Sequence, residues 1–234
     1  MSASHWMGLA LLFATTAAAA QVPVHQDPTH RVIFQNAQLR ILNINIPAGE
    51  ASLDHRHEFD IATVSMTSGT PTRRRTAGQP SAEERPPRPI GDAMVADYAG
   101  KPASHRVENV GKTAYQLFAV ENLRKSGWSA TPAATGRATA MTTESRAFRL
   151  YDVRLAQETT QTSHKHAVPT IAVLVSGAIM SDGPDAQAKA NAPAPVGLKQ
   201  LTEPGEWLLV PAGDTHHVVR LGANDARLVE IEVR

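Results

Sequence analysis

The chain has 234 residues, enough for two small domains or one larger one, and its 23 basic and 22 acidic side chains are mixed along its length for a formal charge of +1. That balance argues against a nucleic-acid or anionic-membrane surface as the main partner. There is no cysteine, which excludes disulfides and thiolate metal sites and leaves His, Asp and Glu as the available metal donors.

Residues 1–20 read as an export signal. Leu9 to Phe13 is apolar, Ala17 to Ala20 supplies small residues, and Gln21 opens a polar stretch, so cleavage is expected after Ala20 although the leader has no Lys or Arg. The apolar run is shorter than the ~18–20 residues that span a bilayer. The expectation is an exported protein, periplasmic or secreted, with no integral membrane segment once the signal is removed. Residues 21–30 follow as an N-terminal extension, in which His25 and His30 read as exposed polar residues.

From residue 31 onward the pattern is that of short strands. Arg31 to Phe34, Leu39 to Ile46, Ile61 to Met66 and Tyr115 to Val120 are bounded by Gly, Pro, Asn or Ser. Phe148 to Leu155, Ile171 to Val175, Trp207 to Val210 and Leu228 to Val233 repeat the theme in the second half. No stretch carries a sustained helical stripe, so the fold class is all-β. Arg73-Arg74-Arg75 reads as a solvated strand end. Gln79 to Ile90 and Gly183 to Val196 are Pro-rich loops at matching places, of the kind that can cover a barrel mouth.

The two halves are an internal repeat. Leu39-Arg40-Ile41 precedes His55 at the same spacing as Phe148-Arg149-Leu150 precedes His164, an offset of 109 residues (55 to 164). His57 matches His166 at that offset. His105, Asn109, Gly111 and Glu121 match His216, Arg220, Gly222 and Glu232 at 111 (105 to 216). The domains implied are 31–125 and 147–234, joined through 126–146, a Thr-, Ala- and Gly-rich linker or extended crossing strand.

Six of the ten histidines fall at repeat-matched positions. His55 and His57 share one face of a strand, as do His164 and His166, about 6–7 Å apart along it. His105 and His216 are the natural third ligands, giving two candidate metal sites: His55, His57, His105 and His164, His166, His216. His217 points the opposite way and stays outside. Glu121 and Glu232 either point inward, orienting a ligand histidine or relaying a proton, or outward as solvated edge charges. Glu108, beside His105, is equally open.

These residues resemble the cupin superfamily, specifically its bicupins, which implies two tandem jelly-roll β-barrels. Gly49, His55, His57 and Gly69 fit the first cupin segment. Gly205, Pro211, Gly213 and His216 fit the second, with Arg220 in place of its Asn. The first half keeps only His105 and Asn109 of that second segment, with Gly91 displaced, and Glu158 stands where the second half's first Gly would be. Both halves lack the family's Glu ligand, whose place is taken by Ala62 and by Ile171 or Thr170. Asp60 and Glu58 are nearby carboxylates at another spacing. The missing Glu counts against Mn and oxalate chemistry.

Three neutral imidazoles leave a divalent ion its full charge and open positions, favouring Fe, Ni, Cu or Zn and an anionic small-molecule ligand. The resemblance implies a dioxygenase-type oxidoreductase acting on a small anionic or enolisable substrate. A non-catalytic periplasmic metal- or ligand-binding module and a metal-free epimerase-like barrel with a histidine base are the alternatives. Nothing in the sequence speaks against a homo-oligomer.

Overall fold

The computed structural model describes residues 21–125, 130, 133, 139–157, 161–184 and 196–234. The expected signal segment, part of the 126–146 connection, Glu158 and most of the second Pro-rich loop lie outside the described residues. The first half begins with β1 (Val22–Pro23), a short 3-10 turn (Val24–Gln26), β2 (His30–Gln35), β3 (Leu39–Ile46) and β4 (His55–His57). It continues through β5 (Asp60–Ser65), β6 (Thr72–Thr76), β7 (Glu83–Arg85), β8 (Ala93–Ala96), β9 (Ala103–Asn109) and β10 (Tyr115–Asn122). The second half opens with β11 (Thr139–Glu144), β12 (Phe148–Leu155), β13 (Gln161–Lys165), β14 (Thr170–Ser176) and β15 (Ile179–Pro184). It closes with β16 (Val196–Leu201), β17 (Trp207–Val210), β18 (Thr215–Arg220) and β19 (Ala226–Val233).

Each half is a pair of sheets. The first combines β1-β4-β9-β6-β7 with β2-β3-β10-β5-β8, and the second combines β13-β18-β15-β16 with β11-β12-β19-β14-β17. The architecture is thus all-β, with two barrel-like lobes in tandem. Stretch 21–30, expected to precede the first barrel, is built into it: β1 lies parallel to β4 and His30 opens β2. Thr139–Glu144, inside the expected connection, pairs with β12 as an edge strand of the second lobe.

Strand alternation explains where the cores lie. In β10, Leu117 and Ala119 face the first barrel's interior with Leu42, Ile44 and Ile46, while Phe118 and Val120 face outward. In β19, Ala226 and Leu228 face the second barrel's interior, while Val229, Ile231 and Val233 face outward. The two outward faces meet. Leu39, Ile41, Ala62 and Val64 of the first lobe form one buried cluster with Phe148, Leu150, Ile171 and Val173 of the second. Such side chains contribute about 1.5–3 kcal/mol each when fully buried. Both faces of these strands are therefore dry, which is why they read as near-continuous apolar runs.

Polar contacts fix the seam. Asn122 donates from Nδ2 to the Arg234 carbonyl (2.9 Å), and Arg146 reaches back to Asp60 (3.1 Å). Phe34 meets Trp207 edge to face at 5.5 Å. Arg227 donates to the carbonyls of Ile90 (3.0 Å) and Gly91 (3.2 Å). Gly91 has φ +74°, and a Cβ there would stand 2.6 Å from the Arg227 guanidinium. Only glycine both adopts that backbone and admits the guanidinium. Gly91→Ala is expected to cost about 1–3 kcal/mol of stability, the range for a non-glycine residue held at positive φ, measured as a lower midpoint in equilibrium urea unfolding.

Candidate metal centre and ligand cavity

The repeat places the histidines alike in both lobes. His55 on β4 stands in register with His105 on β9, and His164 on β13 with His216 on β18. In the first lobe His55, His57 and His105 are buried and each offers a ring nitrogen, all within 4.8 Å of one another. The Nε2 atoms of His55 and His105 are 3.3 Å apart. His217 is exposed, as its outward parity requires.

His55 is oriented by a residue that sequence reasoning missed. Its Nδ1–H donates to Asp27 Oδ2 at 2.8 Å, which turns the Nε2 lone pair toward the other two rings. Burial works against the Asp27 carboxylate, but hydrogen bonds from His30, His55 and Thr29 hold its pKa well below the usual carboxylate range. His30 corrects an expectation. Instead of lying exposed, it is 4% exposed and packs edge-on against His55 at 4.5 Å. His25 is half-buried.

His57 stacks on Tyr98 (4.5 Å) and against His105 (4.8 Å), and its Nδ1 is buried without a hydrogen-bond partner among the described residues. Burial, reinforced by repulsion from His55, His30 and Arg74, holds its pKa well below the imidazole range. Burial and Arg74 do the same to His105. Both rings are therefore neutral, the form that ligates a metal. Arg74 Nη2 donates to His105 Nδ1 (2.8 Å) and to the Tyr98 hydroxyl (3.1 Å). Of the Arg73–Arg75 run expected in solvent, alternation thus turns the middle residue inward. The donor set fits a divalent cation, with one rearrangement: Arg74 must release Nδ1 so that His105 can carry its proton there and present Nε2.

The second lobe is built differently. His164 Nε2 donates to Glu230, 2.8 and 3.0 Å from its two oxygens, and His166 Nε2 donates to the same carboxylate at 3.1 Å. His166 Nδ1 donates to Glu232 Oε1 (2.9 Å), whose other oxygen accepts from Tyr151 (3.0 Å) and Arg149 (3.2 Å). Burial opposes the charge on His166, but the two carboxylates outweigh it and push its pKa up to about 9. The set described here as able to hold an ion is His164, His166 and Glu230. A carboxylate that the sequence did not announce, Glu230, reaches this site from the last strand, at a position other than that of the family's Glu. His216 lies on the neighbouring strand, and its side chain is outside the described residues.

Both recurrent glutamates point inward. Glu121 pairs with Arg40 at 2.7 Å, and Glu232 pairs with Arg149, so the repeat preserves a buried ion pair at one end of each barrel. Burial raises the Glu121 pKa and Arg40 partly offsets this. Among the described residues Glu121 Oε1 and His57 Nδ1 both lack a partner, whereas their counterparts, Glu232 Oε1 and His166 Nδ1, bond to each other. Neither carboxylate offered as a substitute ligand reaches the first site. Asp60 is taken by Ala99 N–H and Arg146, and Glu58 is exposed beside Arg56. Glu108 is half-buried and pairs with Arg73.

One row of residues explains the difference between the lobes. Across the sheet, Leu42, Ala119 and Thr63 of the first lobe correspond to Tyr151, Glu230 and Ala172 of the second. Tyr151 and Glu230 occupy the second barrel where the first has Leu42 and Ala119. The first barrel encloses a cavity of about 550 Å³, within the ~300–1,000 Å³ usual for ligand pockets. His57, His105, Tyr98, Arg74, Arg85 and Arg88 line it, with Ile44, Ile46, Ile61, Val107 and Leu117 as apolar wall. The first Pro-rich stretch, expected to be a loop throughout, forms strand β7 at Glu83–Arg85 paired with β6, and it supplies Arg85 from that strand and Arg88 from the segment after it.

No protein-family model matches this chain, and none of the curated proteins compared with it matches. Solved structures do. AerE from Microcystis aeruginosa is 13% identical, with 89% of this chain and 98% of that one covered at a TM-score of 0.58. A salicylate 1,2-dioxygenase from Pseudaminobacter salicylatoxidans is 9% identical, with 88% and 77% covered at 0.58. A cupin 2 conserved barrel domain protein from Leptotrichia buccalis is 11% identical, with 93% and 100% covered at 0.50. What the chain shares with them is a cupin fold of bicupin length.

Glu230→Ala strips a buried carboxylate from two histidines. It is expected to cost about 3–5 kcal/mol, the penalty for breaking a buried pair, in equilibrium unfolding of metal-free protein. A loss below 1 kcal/mol, within the range of exposed pairs, would contradict the network.

Proposed function

We propose that the protein is an exported, oxygen-dependent metalloenzyme acting on a small organic anion, and that the first lobe carries the reaction. The observation behind this reading is that His57 and His105, two of three converging imidazoles, line a cavity that also presents three arginines. His55, His57 and His105 would hold the ion. When bound, Fe, Ni or Cu supplies one-electron chemistry toward oxygen, and Zn a Lewis acid only.

The remaining work falls to this chain's own residues. Asp27 fixes the His55 ring and keeps its proton on Nδ1. Tyr98 supports the His57 ring by stacking. Arg85 is paired with Glu83 and Arg88 with Asp92, while Arg74 has no carboxylate partner among the described residues, so the cavity keeps a net positive charge that attracts anions. Its apolar wall keeps water from the reacting end and strengthens every charge interaction there. A protein of the same fold named as a salicylate 1,2-dioxygenase is in keeping with this reading.

Elemental analysis of protein from its native compartment, paired with oxygen uptake across a panel of organic acids, tests the proposal. The expected result is a redox metal and acid-dependent oxygen consumption, reduced at least 100-fold by His57→Ala, the order of effect of losing a positioned catalytic group. Bound metal with no oxygen uptake would favour the ligand-binding alternative, and a full rate in His57→Ala would overturn the first-lobe assignment.

A further inference from the structure

The first-lobe cavity has more guanidinium capacity than its own protein partners use. Arg74 spends Nη2 on Tyr98 and His105, and Arg85 spends Nη2 on the exposed Glu83. Among the described residues, the Nε atoms of both are buried with no hydrogen-bond partner. Buried donors are rarely left unmade, because they have given up water without replacement. Arg88, by contrast, is held by the Asp92 carboxylate and its carbonyl.

The strands place the two unused donors together. Arg85 on β7 stands opposite Thr72 on β6, two residues from Arg74. By strand parity Thr72, Arg74 and Arg85 share one face, and all three line the cavity. Diagonal neighbours of this kind are about 7–8 Å apart at the backbone, within reach of long side chains. Facing them from the other sheet are Ile44, Ile46, Ile61 and Leu117, and Val107 lies beside Arg74 on its own sheet, so the surroundings reward an apolar body and offer an inorganic anion nothing.

We propose that Arg74 and Arg85 form a clamp for the carboxylate of an amphipathic organic acid, whose hydrocarbon body lies along the Ile44–Leu117 wall. A planar carboxylate matches the fork of guanidinium N–H groups, and such charge-assisted bonds are about twice as strong as neutral ones. Arg74 also ties the anion to the histidines. A carboxylate that draws its donors away from His105 Nδ1 produces the rearrangement that lets His105 ligate. This deepens the reading of the cavity given above and names its substrate class.

The test is calorimetric titration of the full mature chain, first stripped of metal with EDTA and then metal-loaded, with three probes: 4-phenylbutyrate, the neutral 4-phenylbutyramide and inorganic phosphate. The clamp requires the acid to bind at least tenfold more tightly than the amide and than phosphate in the stripped protein. Arg85→Met should abolish that preference, and Arg31→Met, an exposed charge loss elsewhere, should retain it. Equal binding of acid and amide, phosphate binding as tightly as the acid, or an unchanged preference in Arg85→Met would overturn it. A persisting preference in a chain that takes up no metal would sink the metalloenzyme reading and leave the clamp standing. Metal uptake without the preference would do the reverse.

Discussion

The apolar seam between the lobes is the constraint on which the rest depends. Strands β10 and β19 are dry on both faces, so every residue along them is committed either to the seam or to a barrel interior. Parity then dictates what each barrel contains. Phe118, Val120, Ile231 and Val233 close the seam, and Ala119, Glu121, Glu230 and Glu232 are forced inside. Two of these inner acids are neutralised by Arg40 and Arg149 from the adjoining strands. Neither arginine would tolerate such burial without its glutamate.

From that common plan the lobes diverge through a few side chains. In the first, Leu42, Ala119 and Thr63 leave the interior open, and the histidines sit beside a cavity with arginines at its rim. In the second, Glu230 brings a carboxylate to the histidines, Tyr151 donates its hydroxyl to Glu232, and His166 becomes cationic between two acids. A three-histidine cluster and a carboxylate-bound pair of histidines thus sit on equivalent strands. The first exposes ligand atoms to a space that a substrate can enter, and the second spends its polar atoms on one another.

Much of this was legible in the sequence. The His-x-His pairs and their distant third members follow from period-two geometry and a constant offset, and the register of His55 with His105 agrees. Four elements were not legible, each for a physical reason. Asp27 and His30 precede the repeat and have no counterpart in the second half to draw attention. Arg74 is hidden in a basic run whose neighbours are solvent-facing. Glu230 sits in the alternating run Leu228 to Val233, where a polar residue every second position ordinarily means one wet face. Only the burial of both faces makes its carboxylate an interior group. A signal existed: Arg40 and Arg149 recur at one offset and Glu121 and Glu232 at the other, which points to conserved pairing and hence to an inward acidic face.

The seam has one more implication. It joins equivalent faces of two related modules, the self-complementary arrangement expected between subunits about a twofold axis. Here both modules belong to one polypeptide, so the pseudo-dimer is covalent and its symmetry is no longer enforced. In a true homodimer a substitution at the position of Ala119 would appear twice. In this chain it appears once, and one barrel can become a receptacle while its twin becomes a buttress.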